Sequence, residues 1–133
     1  MRVADLMETD VMSIAPDAPI VDLVNTLADT RVSGLAVVDE SSHVIGVVTA
    51  ADVLREAAGL ADPNAKSRTL ARETVRDIMT PNPRVIAPEA DAREAARQML
   101  DADVRRLFVE DQGRLIGVIS QTDIANAVGA GRL

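Results

Sequence analysis

Val44-Ile45-Gly46-Val47-Val48-Thr49-Ala50-Ala51-Asp52-Val53 and Leu115-Ile116-Gly117-Val118-Ile119-Ser120-Gln121-Thr122-Asp123-Ile124 are two copies of one pattern. In each, a β-branched run reads as a strand. A hydroxyl residue then precedes a carboxylate by three positions, the spacing with which a helix start satisfies its own orphan N–H groups. Both stretches therefore predict a strand that turns directly into a helix.

Working outward, the strand at 44–48 has a partner in Leu35-Ala36-Val37-Val38, across the polar turn Asp39-Glu40-Ser41-Ser42-His43. That spacing predicts a hairpin. Asp111-Gln112-Gly113-Arg114 is the turn of the second copy, with Gly113 supplying a permissive backbone. Upstream of each hairpin lies an amphipathic stripe at helical spacing: Ile20, Leu23, Val24 and Leu27, then Ala92, Ala95, Ala96 and Met99. Pro16 and Pro88 end the short extended pieces before these stripes, and Asp17 or Glu89 places an acidic group near the helix start. Each copy thus reads β-α-β-β-α, and the fold class is α/β.

The duplication extends to the N-terminal segment. With a shift of 72 residues, Val3-Ala4-Asp5-Leu6-Met7 falls on Val75-Arg76-Asp77-Ile78-Met79, and 12 of 37 positions are identical between Val3–Asp39 and Val75–Asp111. Self-similarity of this kind marks a structural unit. Residues 1–58 form the first repeat, 59–74 a linker beginning with the Gly- and Pro-containing stretch at 59–68, and 75–133 the second repeat. A half of this size is marginal alone, so the two are expected to pack together.

Composition narrows the function. The chain of 133 residues is 47% hydrophobic with one Phe and no Trp or Tyr, which predicts an aliphatic core. Missing aromatic platforms and a net charge of −7 argue against a nucleic-acid partner. With no Cys, disulfides and thiolate chemistry are excluded. The N-terminus lacks a signal-peptide pattern, and no run approaches the ~18 apolar residues of a membrane span, so a cytoplasmic protein is expected.

Two readings of the Thr49/Asp52 and Ser120/Asp123 pairs remain open: a plain capping box, or a helix terminus whose hydroxyl and N–H groups hold a phosphate while the carboxylate accepts sugar hydroxyls. The duplicated set, from opening strand with Pro to the closing Gly-hydrophobic-hydrophobic-Thr/Ser-x-x-Asp, resembles a tandem pair of CBS domains, named after cystathionine β-synthase. That resemblance covers nearly the whole chain. It implies two β-α-β-β-α units related by a pseudo-two-fold axis, a Bateman-type module, with clefts that bind AMP, ADP, ATP or related adenosyl compounds such as S-adenosylmethionine.

Carried over by motif, Asp52 and Asp123 match the family's ribose-binding carboxylate, and Thr49 and Ser120 its phosphate-side hydroxyl. Ala15 and Ala87 stand where relatives touch the base, and offer only a methyl and backbone groups; Ile20 is taken with this set. The resemblance implies that Asp52 faces Val104-Arg105-Arg106 and Asp123 faces Val32-Ser33-Gly34. Arg105 and Arg106 are the groups expected to neutralise phosphate, since guanidinium binds it as a bidentate fork. Their plain reading is a solvated pair balancing Asp101, Asp103 and Glu110.

No metal ligand set and no catalytic residue is assigned. His43, the sole His, lies in a turn without a second His or any Cys nearby and reads as an exposed polar residue, while Met7, Met79 and Met99 read as core. No catalytic assembly accompanies the hydroxyl–carboxylate pairs, so an enzyme is not expected. The expected function is a stand-alone regulatory module that needs no cofactor and binds an adenine nucleotide. Population shift would carry the signal to a separate effector protein, from a homodimer. The alternative is an interaction or dimerisation module whose clefts bind nothing.

Overall fold

The structure is a computed structural model that describes residues 1–30, 32, 34–59 and 72–133. The linker expected at 59–74 and Ser33 lie largely or wholly outside the described residues. In chain order the elements are α1 Val3–Leu6, β1 Ser13–Ile14, α2 Ile20–Thr30, β2 Gly34–Val38, β3 Val44–Thr49, α3 Ala50–Ala57, α4 Val75–Ile78, β4 Thr80–Pro81, β5 Val85–Ile86, α5 Ala92–Ala102, β6 Arg106–Asp111, β7 Arg114–Ser120 and α6 Gln121–Gly129. The predicted β-α-β-β-α order is present twice, as β1-α2-β2-β3-α3 and β5-α5-β6-β7-α6.

Compactness divides the chain differently from repetition. One unit contains Met1–Val11, Ser41–Val44 and Arg84–Leu133; the other contains Met12–Glu40 and the described residues of Ile45–Pro83. Each unit thus takes its opening helix from the other repeat.

In the first unit, β5 pairs parallel with β6 (Val85 with Phe108, Ile86 with Val109), and β6 antiparallel with β7. Leu107, Val109 and Ile119 face a core with Ile86, Ala95 and Met99, and Val3 of α1 completes it. A four-residue helix leaves its first N–H groups without internal acceptors. Here the Val3 and Ala4 amides donate to the Ala90 and Pro88 carbonyls at 2.8 and 2.9 Å. An antiparallel bridge between Glu8 and Val118 adds the end of the opening segment to the sheet.

The second unit repeats this with the roles of the copies reversed. β1 pairs parallel with β2, and β4 pairs antiparallel with β3 through Val47 and Thr80. Leu23, Leu35, Val37 and Val48 form its core with Val75 of α4. The Val75 and Arg76 amides donate to Ala18 and Pro16 carbonyls, each at 2.9 Å.

The long helices start later than the acidic residues suggested. Asp17 and Glu89 sit in turns, and α5 opens at Ala92 with Asp91 as its cap, the Asp91 carboxylate accepting from the Arg93 N–H at 2.8 Å. That bond, offset by desolvation and aided by the N-terminal amine, Arg93 and Arg97, holds the Asp91 carboxyl below its ordinary range. The buried stripe is also narrower than predicted: Ile20 and Leu23 are buried, but Val24 is 43% exposed. No helix among the described residues is long and apolar enough to cross a membrane.

Candidate functional site

Each β-strand run ends in a corner. At the first, Thr49 has extended backbone angles, φ −130° and ψ 167°, and caps α3. The Thr49 N–H donates to Asp52 Oδ2 at 2.7 Å, the Thr49 hydroxyl to the same oxygen at 3.1 Å, and the Asp52 N–H returns to Thr49 Oγ1 at 3.3 Å. The other carboxylate oxygen, Oδ1, accepts from Arg55 Nη2 one turn further on. Asp52 is buried at 7% exposure, whereas the Arg55 side chain is half exposed.

The second corner has the same frame and a different finish. Ser120 caps α6, its N–H donating to Asp123 Oδ2 at 2.9 Å and the Asp123 N–H returning to Ser120 Oγ at 3.1 Å. The position equivalent to Arg55 is Asn126. Among the described residues nothing is bonded to Asp123 Oδ1. Asp123 is only partly buried.

The start of the second hairpin is tied to this corner within one unit. The Gln121 N–H donates to the Arg105 carbonyl at 2.9 Å and its side-chain amide to the Val104 carbonyl at 3.2 Å. Arg106 is the cross-strand partner of Ser120. Directly paired residues project to the same face of a sheet. Exposed Arg106 therefore lies beside Ser120 on one face of its own repeat's sheet, with exposed Arg105 just before it in the chain. In the other unit Gly34 has the corresponding place: a β-carbon there would lie 3.0 Å from Thr49 Cγ2.

The remaining expected residues are placed as follows. Ala15 and Ala87 are exposed beside buried Pro16 and Pro88, and their carbonyls accept from Ala18 and Ala90, each at 3.2 Å. Ile20 is buried at 3% exposure, and its N–H donates to the Glu73 carbonyl at 3.3 Å. Val104 is partly buried against the core of the first unit. Two hollows in that unit, an apolar one between α5 and α6 and a polar one at the hairpin tips, are lined by neither Ser120 nor Asp123.

His43 is the exposed turn residue expected, and it also has partners. Its Nδ1 lies 3.0 Å from Glu110 Oε2 and 3.2 Å from the Gly113 carbonyl, while the Val44 N–H donates to Glu110 Oε2 at 2.8 Å. The tip of the first hairpin is thereby bonded to the second. The sequence signal was Glu110 itself, a charge in a strand where the other copy has Val38. Aligning the copies also sets Arg55 against Asn126.

The family model for the CBS domain matches residues 3–59 and 75–130. The crystal structure of CBSX2 of Arabidopsis thaliana in complex with AMP is similar at 29% identity and a TM-score of 0.83, covering 99% of this chain and 98% of that one. Two proteins of Methanocaldococcus jannaschii are similar in sequence. MJ1225 is 29% identical over 96% of this chain and 43% of its own length; inosine-5′-monophosphate dehydrogenase is 31% identical over 86% of this chain and 21% of its own. The chain thus spans less than half of either relative.

Proposed function

Because the chain belongs to the CBS domain family, we propose that its Thr49–Asp52 and Ser120–Asp123 corners take part in binding an adenine nucleotide of the AMP, ADP or ATP type, and that occupancy is read by a separate protein. The observation that carries this reading is the twice-built corner, in which the helix terminus, a hydroxyl and a carboxylate converge with fixed geometry. Backbone N–H groups and the helix dipole favour a phosphate at such a terminus. The carboxylate favours a sugar diol, through charge-assisted hydrogen bonds. Exposed Arg106, the cross-strand partner of Ser120, and its neighbour Arg105 supply positive charge for a phosphate in a chain of net charge −7. The likeness to a protein solved with AMP supports the choice of ligand.

Binding, not turnover, is the activity assigned. A ligand that favours one conformer shifts the population toward it, and a partner with unequal affinity for the conformers reads the shift. A second copy is the proposed assembly partner, supported by exposed Val21, Val24 and Leu54 on α2 and α3 and by Leu100 and Val128 on α5 and α6.

A second reading, an interaction module with empty corners, is favoured by Ala15 and Ala87, which present a methyl where a base contact is expected. A thermal-shift panel of AMP, ADP, ATP and S-adenosylmethionine separates the two. Ligand at 100 times its Kd stabilises a native state by about 2.7 kcal/mol. A rise in Tm with AMP, ADP or ATP, and intact ATP after incubation, supports the nucleotide reading; no shift with any of the four supports the module.

A further inference from the structure

We propose that Arg55 is a latch that makes the two corners unequal: it occupies the Asp52 carboxylate, so that a nucleoside engages the Asp123 corner first and the Asp52 corner only when Arg55 is displaced. This rests on the nucleotide reading above. In both corners Oδ2 is committed to the capping box. Oδ1 is then the oxygen left to accept a sugar hydroxyl. At the first corner it is already bonded to the Arg55 guanidinium, an i,i+3 ion pair on α3. At the second corner the equivalent residue is Asn126, and among the described residues Oδ1 has no protein partner.

A sugar hydroxyl that displaces the guanidinium must first break an ion pair, and it leaves a bond in which only the carboxylate is charged. The Arg55 side chain is 54% exposed, so it can swing into water and retain its solvation. The latch therefore raises the concentration at which the first corner fills without abolishing binding. The Arg55/Asn126 difference between the copies thereby gives a duplicated site a two-step response.

Arg55 and Asn126 both occupy exposed helical positions, so exchanging them leaves the cores untouched. The test is a titration of the full chain with adenosine, which carries no phosphate to be attracted by arginine, following the backbone amide signals of Thr49 and Ser120. In the wild type, Ser120 should saturate at a concentration lower than Thr49 by roughly two- to fivefold. Arg55→Asn should bring Thr49 down to the Ser120 value, and Asn126→Arg should raise Ser120 by a similar factor. Coincident saturation in the wild type, with neither amide's midpoint moved by Arg55→Asn, overturns the latch while leaving nucleotide binding intact. If neither amide responds to adenosine or to AMP in any of the three proteins, the nucleotide reading fails and the latch with it.

Discussion

Met7 lies across Gly117, so that a β-carbon at that glycine would stand 2.7 Å from Met7 Sδ and 2.9 Å from the Glu8 carbonyl. Met79 lies across Gly46 in the same way, at 2.5 Å from Sδ and 3.1 Å from the Thr80 carbonyl. The glycines admit the opening segment of the other repeat. A methionine tip can turn aside, but Glu8 is held by a reciprocal pair of 2.9 Å backbone bonds to Val118. Gly117→Ala should therefore destabilise by about 1–3 kcal/mol, as overpacking does, and Gly46→Ala by less. Urea unfolding checks both, and an unchanged midpoint for Gly117→Ala would contradict the close approach.

The corner residues should separate stability from binding. Asp123→Ala removes the acceptor of the Ser120 N–H and should cost about 1 kcal/mol, the scale of a lost cap. AMP affinity should fall by roughly 10- to 100-fold, the worth of a hydrogen bond to a charged group. Calorimetric titration beside thermal unfolding reads both quantities. Unchanged affinity would leave the carboxylate as a cap alone.

Much of this was legible in the sequence, and the reason is local. The runs at 44–48 and 115–119, the hydroxyl three residues before each carboxylate and the hairpin turns are short-range patterns, and the capping boxes appear where the spacing put them. The exchange of opening segments was not legible. A four-residue helix such as Val3–Leu6 has too few turns to produce a periodic signal, and its packing on Leu107 and Ile119 joins residues over a hundred positions apart. Val24 shows the limit of the stripe itself: helical spacing ranked it with Leu23, yet the covering layer is narrow and leaves it in solvent. His43 is exposed as its turn position implies, but its partner Glu110 comes from another hairpin and leaves no local signal.

The bonds at the hairpin tip should be measurable. The Glu110 side chain is 9% exposed and accepts from the Val44 N–H, so Glu110→Ala leaves a part-buried donor without its acceptor. A loss of about 1–3 kcal/mol is expected. His43 is half exposed, and His43→Ala should cost less than about 1 kcal/mol. Equal effects in denaturant unfolding would contradict the distinction between the backbone bond and the ion pair.

Acid should act through the cap of α5. The folded Asp91 carboxyl is held low, chiefly by the Arg93 N–H, so its contribution to stability is fully present above the unfolded carboxylate range near about 4. It is lost as pH falls through the lowered folded value. Asp91→Asn keeps a capping oxygen but cannot titrate, so the difference in unfolding free energy between wild type and variant should shrink as pH is lowered through that window. A difference that is constant with pH would show that Asp91 is not the titrating cap.

The most direct test of the nucleotide assignment is a crystal structure of the full chain grown with AMP. Sugar hydroxyls within hydrogen-bond distance of the Asp123 carboxylate, with the phosphate against the start of α6, are the predicted result. AMP bound away from both Asp123 and Asp52, or absent from crystals grown at saturating concentration, would contradict it.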